Sequence, residues 1–419
     1  MMFDARALSY LKEAALERLL QYVAVESTAR FGEPSPSSPG QVELGRQIAD
    51  ELRAIGLDDV AQDRHGIVTA TLPATPGCES RPTLGLLAHL DTSPEESGTN
   101  VKTRVLRAYD GSPITFPGAP GRSIEPGTLD ELAECVGHDI VVTDGSTLLG
   151  ADDKAGVAAI VTAVAHLIAH PEIPRPRIRV AMTVDEEIGQ GIKHLDIAAF
   201  GADVAYTLDD DKAGTIASET FSADLAIVRV RGMNSHPGTA RGRMVNAIRV
   251  ISDIVDGLPE FIAPEHTEGR QGFLHPYDVK GTVAEAELRV LVRDFATPVL
   301  AEREEFLRQL LGVALARHPG AQGSVEIVRQ YRNMVDGLRD RPDVLDRADA
   351  AIRAIGLEPR RTEIRGGTDG SQLTERGLPC PNLFAGMHNA HAVTEWACLD
   401  DLALSAATLV ALAREWARS

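Results

Sequence analysis

The chain has 419 residues, 43% of them apolar, and carries 42 basic against 61 acidic side chains for a formal net charge of −19. That balance argues against nucleic-acid binding, which needs clustered Lys and Arg to neutralise phosphates. The length allows two or three domains with ample apolar core, and no apolar run reaches the ~18 residues that cross a bilayer, so no membrane partner is expected.

In chain order, residues 2–25 predict a charged amphipathic helix (Asp4, Arg6, Lys12, Glu13, Glu17, Arg18) without the apolar core of a signal peptide. Cys78, Cys135, Cys380 and Cys398 are scattered with no C-x-x-C pair and read as reduced thiols. A soluble, cytoplasmic globular protein is the expectation. Gly32–Gly40, rich in Pro and Ser, reads as loop. Val42, Leu44, Ile48, Leu52 and Ile55 stand at helical spacing and stop at Gly56. Ile67–Leu72 and Thr83–Ala88 read as strands, the second suited to a buried parallel sheet. Thr92–Thr147 is loop-rich; so long a loop is usually functional or carries small elements of its own. A helix follows over Ala155–Ala169, then strands at Arg177–Val184 and Val204–Leu208. This alternation predicts a mostly parallel, twisted α/β sheet with helices on both faces.

The pattern changes near residue 220. Asp224–Arg231 (strand), Arg243–Val255 (helix), Gly272–Thr282 and Ala286–Phe295 (strand pair), Pro298–Ala316 (helix) and Ser324–Tyr331 (strand) give the order β-α-β-β-α-β of a small α+β, ferredoxin-like domain. Helix over Arg341–Ile355, a short strand at Glu363–Ile364 and a closing helix over Asp401–Arg418 complete the chain. The expected organisation is a discontinuous domain, 1–215 and 335–419, interrupted by an insert at 220–332.

Five clusters of polar residues fall at strand ends or just beyond them, where open α/β sheets bind ligands. They are His89-Leu90-Asp91; Asp152-Asp153 behind Leu148-Leu149-Gly150; Asp185-Glu186-Glu187; Asp209-Asp210-Asp211; and His388-Asn389-Ala390-His391 with Glu395 four residues on. Each has an ordinary explanation: acids cap helices, and an acidic run can be a solvated turn. Together, carboxylates and histidines converging on one crevice would be costly there if uncompensated. Two divalent ions resolve that, and mixed His/carboxylate ligation suits Zn²⁺, with Mn²⁺ or Co²⁺ as substitutes.

The motifs Ala88–Pro94, Leu148–Gly156, Asp185–Glu187, Asn234–Ala240, Ile364–Gly370 and Gly377–Asn382 resemble the di-zinc exopeptidase family that includes carboxypeptidase G and the peptidase T aminotripeptidases, over nearly the whole chain. The resemblance implies a zinc-dependent aminopeptidase that cuts the N-terminal residue from short peptides, with tripeptides expected. It implies two Zn²⁺ per chain: His89, Asp152 and Asp209 on one, Asp152, Glu187 and His391 on the other, and a cis peptide bond after the bridging Asp152. Asp91 would orient His89. Glu186 would be the general base for a water shared by the metals. His236, Arg365, Arg293 and Asn333 become candidates for substrate binding, with the insert as a hinged lid. A homodimer is left open.

Two departures stand out. The family usually has Gly-Gly after the ligand at 209, where this chain has Asp210-Asp211, and its Arg-Asp-Phe-Asp run becomes Arg293-Asp294-Phe295-Ala296. Alternatives to the tripeptidase are a related di-zinc hydrolase of dipeptides or N-acyl amino acids and, in another class, a metal-dependent peptide-binding protein without catalysis. A nucleotide-binding protein is disfavoured, because no G-x-G-x-x-G or G-x-x-x-x-G-K-[ST] pattern follows a strand.

Overall fold

The computed structural model describes residues 2–418. Contacts divide the chain into two compact units. The first comprises the residues up to Ser218, Asp336–Thr362 and the residues from Thr368 on; the second comprises Glu219–Val335 with Glu363–Gly367.

The first unit is built on an eight-stranded sheet in the order Asp58–Gln62, Val68–Leu72, Ile178–Thr183, Leu84–His89, Val204–Asp210, Asn382–Phe384, Thr215–Thr220, Arg360–Ile364. Its middle four strands run parallel, with antiparallel neighbours on either side. All six residues of Leu84–His89 are buried, as expected of a strand covered on both faces. Helix Ala151–Ala169 packs on that strand and on Val204–Asp210, with Ala5–Val23 and Leu399–Ala417 against the helix. Pro39–Ile55 covers the first two strands.

The loop-rich stretch carries structure of its own. Thr103–Leu106 and Ile140–Thr143 join Trp396–Cys398 and Met387–His388 in a four-stranded antiparallel sheet. A small core of Tyr109, Ile114, Phe116, Leu132, Val142 and Trp396 stabilises it. Nothing local announces these short strands, because Val142 pairs with Trp396, far away in the chain.

The second unit is an antiparallel sheet in the order Phe273–Gly281, Glu285–Asp294, Ser222–Arg231, Gln322–Tyr331. Strand Glu285–Asp294 alternates buried and partly exposed residues. Its buried side meets helices Ala247–Asp256 and Thr297–Arg317 in one apolar cluster. The first of these helices begins later than Arg243 because the Asn246 side chain accepts the Ile248 N–H at 2.9 Å, setting the cap there. No helix among the described residues is long and apolar enough to cross a membrane.

Candidate metal centre and active site

His89 is the last residue of a buried parallel strand, level with Thr183 on the neighbouring one. Its Nδ1 lies 3.1 Å from the Asp91 carbonyl oxygen and 3.5 Å from Asp91 Oδ1. That leaves Nε2 facing Asp152 Oδ1 at 3.0 Å and Asp209 Oδ1 at 3.7 Å. Burial alone would depress the imidazole's pKa; hydrogen bonds to Asp152, Asp209 and Asp91 outweigh it and hold it well above its ordinary value. The Asp91 carboxylate also accepts the backbone N–H groups of Glu186 and Glu187 at 3.0 and 3.1 Å. Asp91 therefore positions both, its carbonyl holding the histidine ring and its carboxylate the acidic loop.

Asp152 leaves a corner made by Gly150 in the left-handed region (φ 76°) and followed by non-helical backbone at residues 152 and 153, joined by a cis peptide bond. Its two oxygens divide between two histidines: Oδ1 toward His89, and Oδ2 toward His391 Nε2 at 3.3 Å. Against the penalty of burial, His391 and His89 hold its carboxyl well below the usual range. Asp153 has a different task. Its Oδ1 accepts the Gly156 N–H at 3.1 Å, capping the helix, and its Oδ2 accepts the His89 N–H at 3.1 Å. A side chain on Gly156 would collide with that carboxylate and with the Leu208 carbonyl, so only glycine fits.

Of the three consecutive acids, Asp185 serves structure. Its carboxylate accepts from Ser37 N–H, Ser37 Oγ and Gln41 Nε2, which stabilises its own charge within the run. Glu187 Oε2 lies 2.8 Å from His391 Nε2, whereas its Oε1 is buried with no hydrogen-bond partner. Hydrogen bonds to Asp152 and Glu187 carry His391 up to about 11, yet Glu187 is itself pushed up to about 8. At Glu187, burial and the Asp152 charge prevail over the hydrogen bond to His391. Burial, with the Asp209 charge next, raises Glu186 well above an ordinary carboxyl, and burial raises Asp209.

These distances bring together His89, Asp91, Asp152, Glu187, Asp209 and His391, with Glu186 held on the same loop. Donor atoms of His89, Asp152 and Glu187 lie within 4.8 Å of one another, a spacing a metal ion fits. The orphaned Glu187 oxygen and the excess of buried carboxylates over cations fit bound divalent ions, which would satisfy both.

Four contributors had no assigned role in the sequence. Glu395 accepts the N–H groups of Leu149, Gly150 and Asp152, and burial raises it to about 7. Its position four residues after His391 was visible, but its target was not. Asp369, buried at the start of helix Asp369–Glu375, accepts from Thr183 Oγ1 at 2.6 Å. Ser37 and Gln41 carried no signal. Asp210 and Asp211 accept the backbone N–H groups of Asp211 and Lys212, and Asp210 also accepts from Thr362 Oγ1. Burial, then the Asp211 charge, moves Asp210 up to about 7.

The other four expected site residues belong to the second unit. His236 is exposed, and its Nδ1 accepts the Gly238 N–H at 3.1 Å, which leaves the proton of the neutral ring on Nε2. Arg365 spends its guanidinium on the carbonyls of Thr267, Gly269 and Gln271 and lies over the rings of Phe221 and Phe273. Arg293 donates to the carbonyls of Asp224 and Val292. Asn333 is buried, accepting from Thr220 and Val335 and donating to the Phe295 carbonyl. In this arrangement the side chains of Arg365, Arg293 and Asn333 hold the backbone of their own unit.

Residues 142–415 match the profile of peptidase family M20/M25/M40. The chain is 41% identical over 401 residues to peptidase T of Geobacillus kaustophilus, covering 96% of this chain and 97% of that one. It is 42% identical over 403 residues to peptidase T of Clostridium botulinum, covering 96% and 98%. Among solved structures, aminopeptidase PepT from Bacillus cereus has a TM-score of 0.76 at 23% identity, covering 97% of this chain and 99% of that one. A tripeptidase from Staphylococcus aureus has the same TM-score at 22% identity with the same coverage. The chain belongs to peptidase family M20/M25/M40, in its peptidase T branch.

Proposed function

We propose that the protein is a metal-dependent aminopeptidase that releases the N-terminal residue of tripeptides. The observation that carries this is Asp152, whose two carboxylate oxygens face His89 at 3.0 Å and His391 at 3.3 Å, the arrangement of a carboxylate shared by two ions. His89, Asp152 and Asp209 would hold one ion and Asp152, Glu187 and His391 the other. Nitrogen and carboxylate donors without thiolate suit Zn²⁺, with Mn²⁺ or Co²⁺ as substitutes. Bound there, the ions supply polarisation of the scissile carbonyl and a lowered pKa for water.

The chain's own residues do the rest. Asp91 keeps the His89 ring turned toward Asp152 and fixes the backbone of Glu186. Glu186, which has no place in either ligand set, takes the proton of the attacking water on a carboxylate oxygen and delivers it to the leaving amine nitrogen. For the second unit we retain one substrate assignment, His236, whose Nε2–H is a donor suited to a developing oxyanion.

The peptidase T names of the relatives near 41% identity support the aminopeptidase reading over a non-catalytic peptide binder, as does the presence of Glu186. Four buried cysteines, none in a disulfide, support a reducing, cytoplasmic setting. The test is a panel of alanine di-, tri- and tetrapeptides with N-acyl amino acids, assayed with zinc. Hydrolysis of the tripeptide with release of its first residue is expected. Turnover confined to N-acylated substrates would end the aminopeptidase reading.

A further inference from the structure

We propose that Cys135, His138 and Cys398, with a fourth donor from the His388–Asp401 pair, form a second, structural metal site for zinc in the first unit. The ligand atoms of Cys135, His138 and Cys398 all lie within 4.8 Å of one another, and so do those of Cys135, His388 and Asp401. The two groups share Cys135, so they describe one pocket. Cys398 Sγ is 3.4 Å from His138 Nδ1, and His388 Nε2 is 4.0 Å from Asp401 Oδ2. A tetrahedral zinc with bonds of about 2.0–2.3 Å sets its ligand atoms about 3.3–3.8 Å apart, so small side-chain movements complete the shell.

A second observation points to a ligand independently of the clustering. His388 is 4% exposed, its ring stacks on Trp396 at 4.0 Å, and neither ring nitrogen has a hydrogen-bond partner. A buried imidazole with both nitrogens idle is unusual. With one nitrogen on an ion and the other turned to Asp401, both would be used, the arrangement common to metal-bound histidines. Cys135, Cys398 and Asp401 are buried as well.

The spacing fits zinc chemistry too. Cys135 and His138 are separated by two residues, as are Cys398 and Asp401, and two such pairs brought together by the fold make a mixed thiolate–imidazole set. None of the five residues belongs to the centre around Asp152. The thiolates set this site apart from that one, which is built from nitrogen and oxygen donors. Its location gives it a purpose. His388 ends strand Met387–His388 and Cys398 ends strand Trp396–Cys398, so the ion would clamp both ends of the segment that carries His391 and Glu395.

The full chain would be produced with added zinc, freed of loose metal by gel filtration, and its metal content measured. Three ions per chain are expected, falling to two in Cys135→Ser/Cys398→Ser and lowered in His138→Ala, whose partly exposed site tolerates truncation. Cobalt substitution provides a second readout. Thiolate-to-cobalt charge transfer in the near ultraviolet should appear in the parent chain and in Glu186→Gln, and vanish in the double serine variant. Two ions per chain with no such band would overturn the proposal. So would a Cys135–Cys398 disulfide, or two thiols freely reactive in the folded, zinc-loaded protein.

Discussion

Glu395 grips the backbone of Asp152: its carboxylate accepts the Asp152 N–H at 3.0 Å while taking those of Leu149 and Gly150 at 2.7 Å each. Three donors converging on one buried carboxylate fix the corner from which Asp152 faces both histidines. Glu395→Gln keeps the size but turns an NH₂ group toward these N–H donors, and each bond lost at a buried donor costs about 1–3 kcal/mol. Since Glu395 acts from behind a ligand, we expect metal affinity to fall about 10–100-fold. Competition with a chromophoric chelator would measure this, and unchanged affinity would remove Glu395 from the support of the site.

Glu186 is the residue on which turnover should depend most without metal loss. Glu186→Gln preserves its shape and the backbone bond to Asp91 but cannot accept a proton. We expect kcat to drop by about 10²–10⁴-fold, the usual contribution of a general base, with metal content unchanged. Residual activity near the parental rate would exclude Glu186 as the base.

Removing the ions leaves Asp152, Glu187 and Asp209, all partly buried, and the buried Asp369 as acids close to one another, three of them already pushed upward by desolvation. Dialysis against a chelator should therefore abolish hydrolysis and lower Tm by several degrees, because ligands that bind only the folded chain stabilise it. Zinc, and to varying degrees manganese or cobalt, should restore both. A chelated protein that melts with the parent would argue against a cation among these carboxylates.

Asp139 offers a pH-dependent test away from that centre. It accepts from Lys12 at 2.9 Å, from Arg107 at 2.8 Å and from the Ala108 N–H at 2.8 Å. Burial alone would raise its carboxyl, but Lys12, the Ala108 N–H and Arg107 hold it at about 2. The folded value lies below the unfolded one of about 3.9, so the unfolded chain takes up the proton first as the pH falls. The stabilisation is complete above the unfolded value and disappears as the pH drops toward about 2. It amounts to roughly 1 kcal/mol once solvent screening is allowed for. Asp139→Asn should melt about 1–2 °C below the parent at neutral pH, with the gap narrowing below about pH 4. A gap independent of pH would mean that packing, not charge, is what Asp139 contributes.

Much of the first unit could be read locally. The apolar run ending in His89-Leu90-Asp91 declares a buried strand because an unbroken series of large aliphatic side chains is stable only when covered on both faces. The insert's β-α-β-β-α-β order follows from long, regular segments, and its strand order matches the topology that pattern predicts. Boundaries were less legible. The helix expected from Ala155 starts at Ala151, with residues 152 and 153 out of helical geometry. There the backbone answers to Glu395 and His89 rather than to intrinsic propensity.

By itself, then, the sequence determined the alternation of strands and helices and the residue types of a His/carboxylate centre, because both rest on local periodicity and on short motifs. Only the tertiary structure decided what each acid does. Among neighbouring acids, Asp185 is bonded to Ser37 and Gln41, Asp153 caps a helix, and Asp152 alone faces both histidines. It also decided that cysteines read as scattered would meet, Cys135 beside Cys398 and His138. The physical reason is the same in both cases. A carboxylate or thiol acts through whatever lies within about 3–4 Å of it, and here many of those neighbours come from segments far apart in the chain that only sheet pairing and helix packing bring into reach.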